Sequence, residues 1–181
     1  MARILVVDDD ASVCSVLALH LRDAEHQVDT AGSAAEAIER MSESYDVMVV
    51  DMKMEGDESG LEVLQSAKSN DRLCQVIVLT AYGTLSNAVK AMNMGAFAYV
   101  LKEVDVTDMV LQQVRRAAEY RAALTNLSAS SQAIKDAREQ LEGILPLLQN
   151  SVAQLDMVRK GQTTLLSMLA PDGPRDPNSR T

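Results

Sequence analysis

Tryptophan is absent from this 181-residue chain, and its aromatic residues are one phenylalanine and four tyrosines. Platforms that stack the bases of single-stranded nucleic acid need more aromatic faces than this. Positive charge is also scarce, with 17 Lys and Arg against 26 Asp and Glu, a net charge of −9. Divided after Lys102, the first part holds 8 basic against 16 acidic residues and the remainder 9 against 10. Neither part offers the basic face of a phosphate-backbone binder, so no nucleic-acid partner is expected. No apolar run approaches membrane-spanning length, and the start lacks a basic segment followed by an apolar one. The expectation is a cytoplasmic protein with no membrane contact. Cys14 and Cys74 form no CxxC pair and read as small buried hydrophobes in a reducing compartment. His20 and His26 read as ordinary helix and turn residues, and no histidine follows them, which excludes a histidine phosphotransfer module in the tail.

What the chain does have, up to Lys102, is a faithful alternation. Short β-branched runs at Ile4–Val7, Val28–Ala31, Val47–Val50, Val76–Leu79 and Tyr99–Leu101 read as strands. Four are strongly apolar, as strands covered by helices on both faces should be, while Val28–Ala31 is weaker and suits a sheet edge. Helical stretches lie between them at Ala11–Asp23, Ala34–Glu43, Leu61–Lys68 and Leu85–Met94. Asp10 reads as an N-cap, Ser33 with Glu36 as a capping box, and Gly95 as a left-handed C-cap. Five such βα units imply an α/β fold with a doubly wound parallel sheet.

In a parallel sheet the carboxyl ends of the strands share one edge, where ligands bind. Here the runs end in Asp8-Asp9, Asp51, Thr80 and Lys102. Hard oxygen ligands at separate strand ends suit Mg²⁺, which takes one or two carboxylates, waters and a phosphate oxygen. Like charges about 4 Å apart cost on the order of 4 kcal/mol per pair at an effective dielectric near 20. A divalent cation and Lys102 offset that repulsion. Asp51 stands alone at its strand end, so it is free to accept a phosphoryl group covalently while Asp8 and Asp9 hold metal. Thr80 and Lys102 then bind the new phosphoryl oxygens.

On these residues the stretch from Arg3 to about Leu127 resembles the receiver domain of bacterial two-component response regulators. The matching positions are the acidic pair Asp8 and Asp9, the phosphoacceptor Asp51, the switch hydroxyl of Thr80-Ala81, the switch aromatic Tyr99 and Lys102, within the segment Gly95–Lys102. The resemblance implies a flavodoxin-like fold of strand order 2-1-3-4-5. It implies Mg²⁺ held by Asp8, Asp9, Asp51 and the backbone carbonyl of Lys53, and a sensor histidine kinase or phosphotransfer protein as phosphoryl donor. Thr80 and Tyr99 would reposition on phosphorylation, changing the face of the fourth helix, fifth strand and fifth helix. The chain is then a phosphoacceptor switch rather than an enzyme.

Two departures stand out. Glu103 replaces the family's usual proline after the lysine, and a non-proline cis bond costs ~3 kcal/mol or more, so a trans peptide and shifted loop are expected. The usual Met-Pro after the phosphoacceptor is Met54-Glu55, and Gly60 comes one residue late, implying an inserted residue and a more flexible, acidic loop. Lys53 and Tyr82 are bulky enough to shield the phosphoryl group, so slow autodephosphorylation is expected. A competing assignment takes Asp8-Asp9-Asp10 as the DxD of a haloacid-dehalogenase-type phosphatase with Asp8 as nucleophile, which leaves Asp51 unexplained.

Beyond Lys102 no strand signal returns. Asp105 and Asp108 can cap a helix from about Val106, with Val110, Val114, Ala117, Ala118 and Leu124 as its apolar stripe. A break is expected at Ser128–Ser131. From there Ile134, Leu141, Leu148, Leu155 and Leu169 recur at heptad spacing with Gln162 between, and Ala137, Ile144, Val158 and Leu165 form a second seam with Ser151 as the exception. Pro146 costs a helix interior about 3 kcal/mol, so a kink or a second helix starting there is expected. The expected organisation is a receiver over 1–127, a helical or coiled-coil extension over 128–170 and a disordered tail over 171–181. The heptad points to output through a homodimer or a helical protein partner. A phosphorelay shuttle with an inert tail is the alternative.

Overall fold

The computed structural model describes residues 1–56, 58–81, 83–102 and 106–169, without the side chains of 148, 150, 154, 158, 161 and 163–169. The expectations for Glu103 and its peptide bond, for Tyr82, for the cap at Asp105 and for the tail beyond 170 fall outside the described residues. The described chain divides into two units, Met1–Ser128 and Ala129–Thr181.

In the first unit β1 (Arg3–Val7), α1 (Ala11–Asp23), β2 (Gln27–Ala31), α2 (Ala34–Arg40), β3 (Val47–Asp51), α3 (Ser59–Asn70), β4 (Gln75–Thr80), α4 (Leu85–Asn93) and β5 (Ala98–Leu101) alternate, and α5 begins at Val106. The strands pair in parallel in the order β2-β1-β3-β4-β5. The weakly apolar strand lies at an edge. The strand period of two sends alternate residues to opposite faces. Ile4 and Val6 join a cluster with Leu17 and Leu21 of α1 and with Val110, Val114 and Ala117 of α5. Leu5 and Val7 join the opposite cluster with Ala37 of α2 and with Leu61 and Leu64 of α3. Each fully buried side chain of this kind contributes roughly 1.5–3 kcal/mol. The sheet is therefore rigid where its strands end.

Local chemistry sets the helix ends. The Asp10 carboxylate accepts the Ser12 amide at 2.8 Å and caps α1. Ser33 caps α2 through the Glu36 amide, while the Glu36 carboxylate reaches back to the amide of Gly32 rather than that of Ser33. Gly95 has φ 92°, the left-handed conformation a helix end needs. Element bounds shift slightly: α2 ends at Arg40, short of Glu43, and α3 starts at Ser59, ahead of Leu61.

The helical assignment begun at Val106 continues through Ser128–Ser131 and Pro146 to Leu169. The expected serine break and the separate second helix at Pro146 are thus corrected to one helix. Serine is only slightly poorer than alanine in a helix, by roughly 0.5 kcal/mol, so a serine run alone does not end one. In the second unit Arg138 bonds Glu142 at 2.7 Å and the Ser151 hydroxyl donates to the Leu147 carbonyl at 2.9 Å. Ile134, Leu141, Ile144 and Leu155 of the heptad are exposed within this unit.

Arg121 fastens α5 in the first unit, donating two hydrogen bonds to Asp71 at 3.1 and 2.7 Å just beyond α3. Burial pushes the Asp71 carboxyl up, but Arg121 and the Leu73 amide more than offset it and hold the group below its ordinary value. The stabilisation is complete above the unfolded carboxylate pKa, about 4, and is lost as the pH falls through the lower folded value. Asp71→Asn should cost ~1 kcal/mol at neutral pH. In thermal melts its gap from the parent should close as the pH falls through the lowered folded value, and a gap that persists in strong acid would contradict the pairing.

Candidate functional site

The strand order reverses direction between β1 and β3, and in sheets of this kind ligands bind at that switch point on the carboxyl edge. Asp8 follows β1 and is almost fully buried, and Asp51 ends β3 with 6 % of its surface exposed. Asp9 projects beside them into solvent. One carboxylate oxygen from each lies within 4.8 Å of the other two. Lys102, one residue past β5, reaches across the edge. Its Nζ lies 2.6 Å from Asp8 Oδ2 and 3.0 Å from Asp51 Oδ1. The Lys102 amide donates to the Thr80 carbonyl at 2.7 Å, which extends the β4–β5 ladder to the residue that carries the ammonium. The Asp10 amide donates to Asp8 Oδ1 at 3.0 Å, so both Asp8 oxygens are engaged.

Burial sets the electrostatics. Removal from water pushes the Asp51 carboxyl above its ordinary value, and the Asp8 charge adds to this, while Lys102 pulls the other way without cancelling it. Burial draws the Lys102 ammonium down, but its bonds to Asp8 and Asp51 more than restore it, and it stays charged. Cys14 lies behind the site, its Sγ 3.4 Å from the Asp8 carbonyl, and burial raises its thiol. Cys74 is pushed up to about 12 by burial. Both therefore remain neutral thiols, as small core residues do.

Thr80 ends β4 and is 1 % exposed. Tyr99 stands opposite Val78 in the β4–β5 register. Its ring packs against the cluster that holds Met52 and Leu64, and its hydroxyl is buried without a hydrogen-bond partner. An unpaired buried hydroxyl costs about 1–3 kcal/mol. Lys53 lies in the loop leaving β3, two residues past Asp51, and is exposed.

Two features of that loop were not visible in the residue pattern. The Ser59 hydroxyl accepts the Met54 amide at 3.0 Å and donates to the Gly56 carbonyl at 3.1 Å, tying the acidic loop to the first turn of α3. Gly60 donates its amide to the Met52 carbonyl at 3.1 Å. A Cβ there would lie 2.3 Å from the Asp51 carbonyl oxygen and 2.8 Å from Met52 Cα. The start of α3 therefore rests directly on the backbone at the end of β3. Lys90 of α4 adds an ion pair to Glu58 at 2.5 Å across the same loop.

Carboxylates, an ammonium and a buried hydroxyl thus gather at the carboxyl edge of a doubly wound parallel sheet with the flavodoxin-like strand order. The response regulator receiver domain family matches residues 4–115, and the chain belongs to that family. It is 27% identical to the transcriptional regulatory protein ZraR of Escherichia coli K12 over 164 residues, covering 90% of this chain and 36% of that protein. A crystal structure of a response regulator receiver domain protein from Clostridium thermocellum is 33% identical, with TM-score 0.62, over 68% of this chain and 99% of that one. The response regulator TrrA from Thermotoga maritima, solved with Mg²⁺ and BeF, is 30% identical with TM-score 0.57, over 65% of this chain and 99% of that one. The chain thus spans about a third of the ZraR protein's length. The expected absence of a nucleic-acid partner gains no support from relatives named as transcriptional regulators. No described helix is long and apolar enough to cross a membrane.

Gly60→Ala should displace the Asp51 strand end, because the Cβ meets backbone atoms of Asp51 and Met52. Overpacking of this kind costs about 1–3 kcal/mol. Urea unfolding should register that loss, and a Gly60→Ala chain as stable as its parent would contradict the close approach.

Proposed function

We propose that this chain is a phosphorylation-activated response regulator that accepts a phosphoryl group on Asp51 and answers through its C-terminal helix. The observation that carries the reading is the Lys102 ammonium bridging Asp8 and Asp51, with Asp9 alongside. Receiver domains take phosphoryl groups from histidine kinases, and a sensor histidine kinase or phosphotransfer protein is the proposed donor here.

The residues present fit Mg²⁺. Asp8, Asp9 and Asp51 supply hard oxygens close together, and a Lys53 carbonyl is the fourth proposed ligand. The ion, when bound, neutralises charge on the transferring phosphoryl group. The chain's own residues do the rest. An Asp51 carboxylate oxygen attacks phosphorus, the bond from phosphorus to the donor imidazole breaks, and that nitrogen keeps the electron pair. Asp51 then carries an acyl phosphate. Lys102 exchanges its bond to the Asp51 carboxylate for one to a phosphoryl oxygen, and the Thr80 hydroxyl donates to another. Phosphorylation adds about −1.5 to −2 charge, which favours both movements. Thr80 moving toward Asp51 opens room for Tyr99, whose unpaired hydroxyl gains by leaving its present position.

The output belongs to the heptad. Ile134, Leu141 and Leu155 of the first heptad seam and Ile144 of the second are exposed, and a homodimer or a helical partner would cover them. The helix that packs Val110, Val114 and Ala117 on the sheet continues in sequence into this seam. Moving a two-state tail from 1:99 to 99:1 takes about 5.5 kcal/mol of differential stabilisation. The phosphatase alternative asks Asp8 to act as nucleophile and leaves the buried Asp51 beside Lys102 without a role. The acidity of the chain suits the proposed cytoplasmic location.

Light scattering with and without Mg²⁺ and beryllofluoride tests the coupling of site to output. The mass should change for the full chain and stay constant for Asp51→Asn. Equal mass in both conditions would rule out tail output, and a chain cut before Ser131 that keeps full signalling activity would identify a shuttle instead. With Lys53 beside the acceptor, the phosphoform should decay over minutes or longer, and a half-life of seconds in Mg²⁺ would overturn the shielding idea.

A further inference from the structure

In the first unit α5 carries two lines of residues with different fates. The sheet takes one: Val110, Val114 and Ala117 are buried in the core, and Arg121 and Leu124 are partly buried farther along the same line. Continued at helical spacing, that line meets Ser128, Ser131, Lys135 and Arg138, so its apolar character ends with the first unit. The other line lies about 100° around the helix, the rotation of one residue. On it stand Tyr120, 51 % exposed, and Leu127, 68 % exposed, with the exposed Ala123 between them. Gln113 and Arg116 interrupt this line before Tyr120.

The exposed line is in phase with the heptad. Steps of seven from Tyr120 give Leu127, Ile134, Leu141, Leu148 and Leu155, and steps from Ala123 give Ser130, Ala137 and Ile144. By spacing, the seam that starts at Ile134 extends two heptads back, onto a helix face of the receiver itself. The flanks of the seam fit a second copy of this chain. With Ile134 at a and Ala137 at d, Leu147 falls at g and Val152 at e, and both are exposed although neither belongs to the seam. In a parallel, in-register pair each g residue meets the e residue five positions on, so Leu147 of each copy meets Val152 of the other. Beyond the first unit the charges at e are Arg138 and Arg159, and the g row carries none. An antiparallel pair sets e against e and brings arginine toward arginine. A parallel pair sets those arginines against uncharged residues.

We propose that a second copy of this chain pairs in parallel along α5, and that the contact begins inside the receiver, at Tyr120 and Leu127, ahead of Ile134. The proposal rests on the reading that the heptad is the output surface, and it names the occupant of that surface and where the contact starts. Tyr120 also touches its own unit: its ring lies 5.9 Å from that of Phe97, just before β5. The strand that leads to Lys102 and the first residue of the seam therefore share one ring contact.

Cysteine cross-linking and light scattering of the full chain test this, with and without Mg²⁺ and beryllofluoride. Cys14 and Cys74 are buried, so an introduced surface thiol reports alone. In whichever condition light scattering gives a dimer, mild oxidation should link Leu127→Cys to itself, because like residues at a face one another in a parallel pair. Thr125→Cys, at f on the outer side of the same helix, should stay unlinked. Leu127→Asp should weaken the dimer at least about tenfold. Leu127 is exposed, so thermal melts of both its variants should show a folded receiver. A chain that is monomeric in both conditions removes the heptad output itself. A dimer that Leu127→Asp leaves intact, or that Leu127→Cys does not link, is antiparallel or confined to the tail and overturns the receiver contact alone. Linkage of Thr125→Cys as readily as Leu127→Cys marks random collision and overturns it equally, as does a mass of four chains.

Discussion

Lys102 joins the two acidic strand ends that the sheet forces together, and the rest of the site depends on that bond. Asp8 and Asp51 leave adjacent strands, β1 and β3, and both are buried. Like charges at this range repel by several kcal/mol even with partial screening, on the order of 4 kcal/mol. The ammonium reaches both at 2.6 and 3.0 Å from a strand two places away from β3. It therefore ties β5 to the centre of the sheet by charge, where hydrogen bonding ties it only to β4. Any change in the charge of Asp51 is felt first at Lys102, and through the Lys102 amide at the end of β4.

Around this bond the fold leaves out atoms where function needs close approach. Gly60 lets α3 rest on the Asp51 carbonyl. Beside it Ser59 and the Lys90–Glu58 pair hold the acidic loop to neighbouring helices. The packed core fixes the strand ends, so small displacements at the edge pass into turns and helix starts rather than into the sheet. Tyr99 is the element held least comfortably, with its hydroxyl buried and unpaired.

Much of this was legible in the residues. Apolar runs ending in Asp8, Asp51 and Thr80 were enough to place those side chains on one edge, because parallel strands share a direction. The caps at Asp10, Ser33 and Gly95 were legible because each rests on local geometry. Contacts between distant segments were not. Nothing in the spacing of Asp71 and Arg121 announces their pairing across 50 positions. The late Gly60 suggested an inserted residue, but its packing on Asp51 depends on where α3 starts, and that start was placed two residues too far along. The serine run suggested a break and Pro146 a kink or a second helix, and the helical assignment covers both positions.

The most direct test is to identify the residue that carries the phosphoryl group. The full chain, incubated with a small phosphodonor and Mg²⁺, can be trapped by borohydride reduction of the acyl phosphate and read by mass spectrometry. A receiver built around the Lys102 bridge reduces at Asp51 alone, and Asp51→Asn abolishes the label. Label on Asp8, or label that survives Asp51→Asn unchanged, would contradict it.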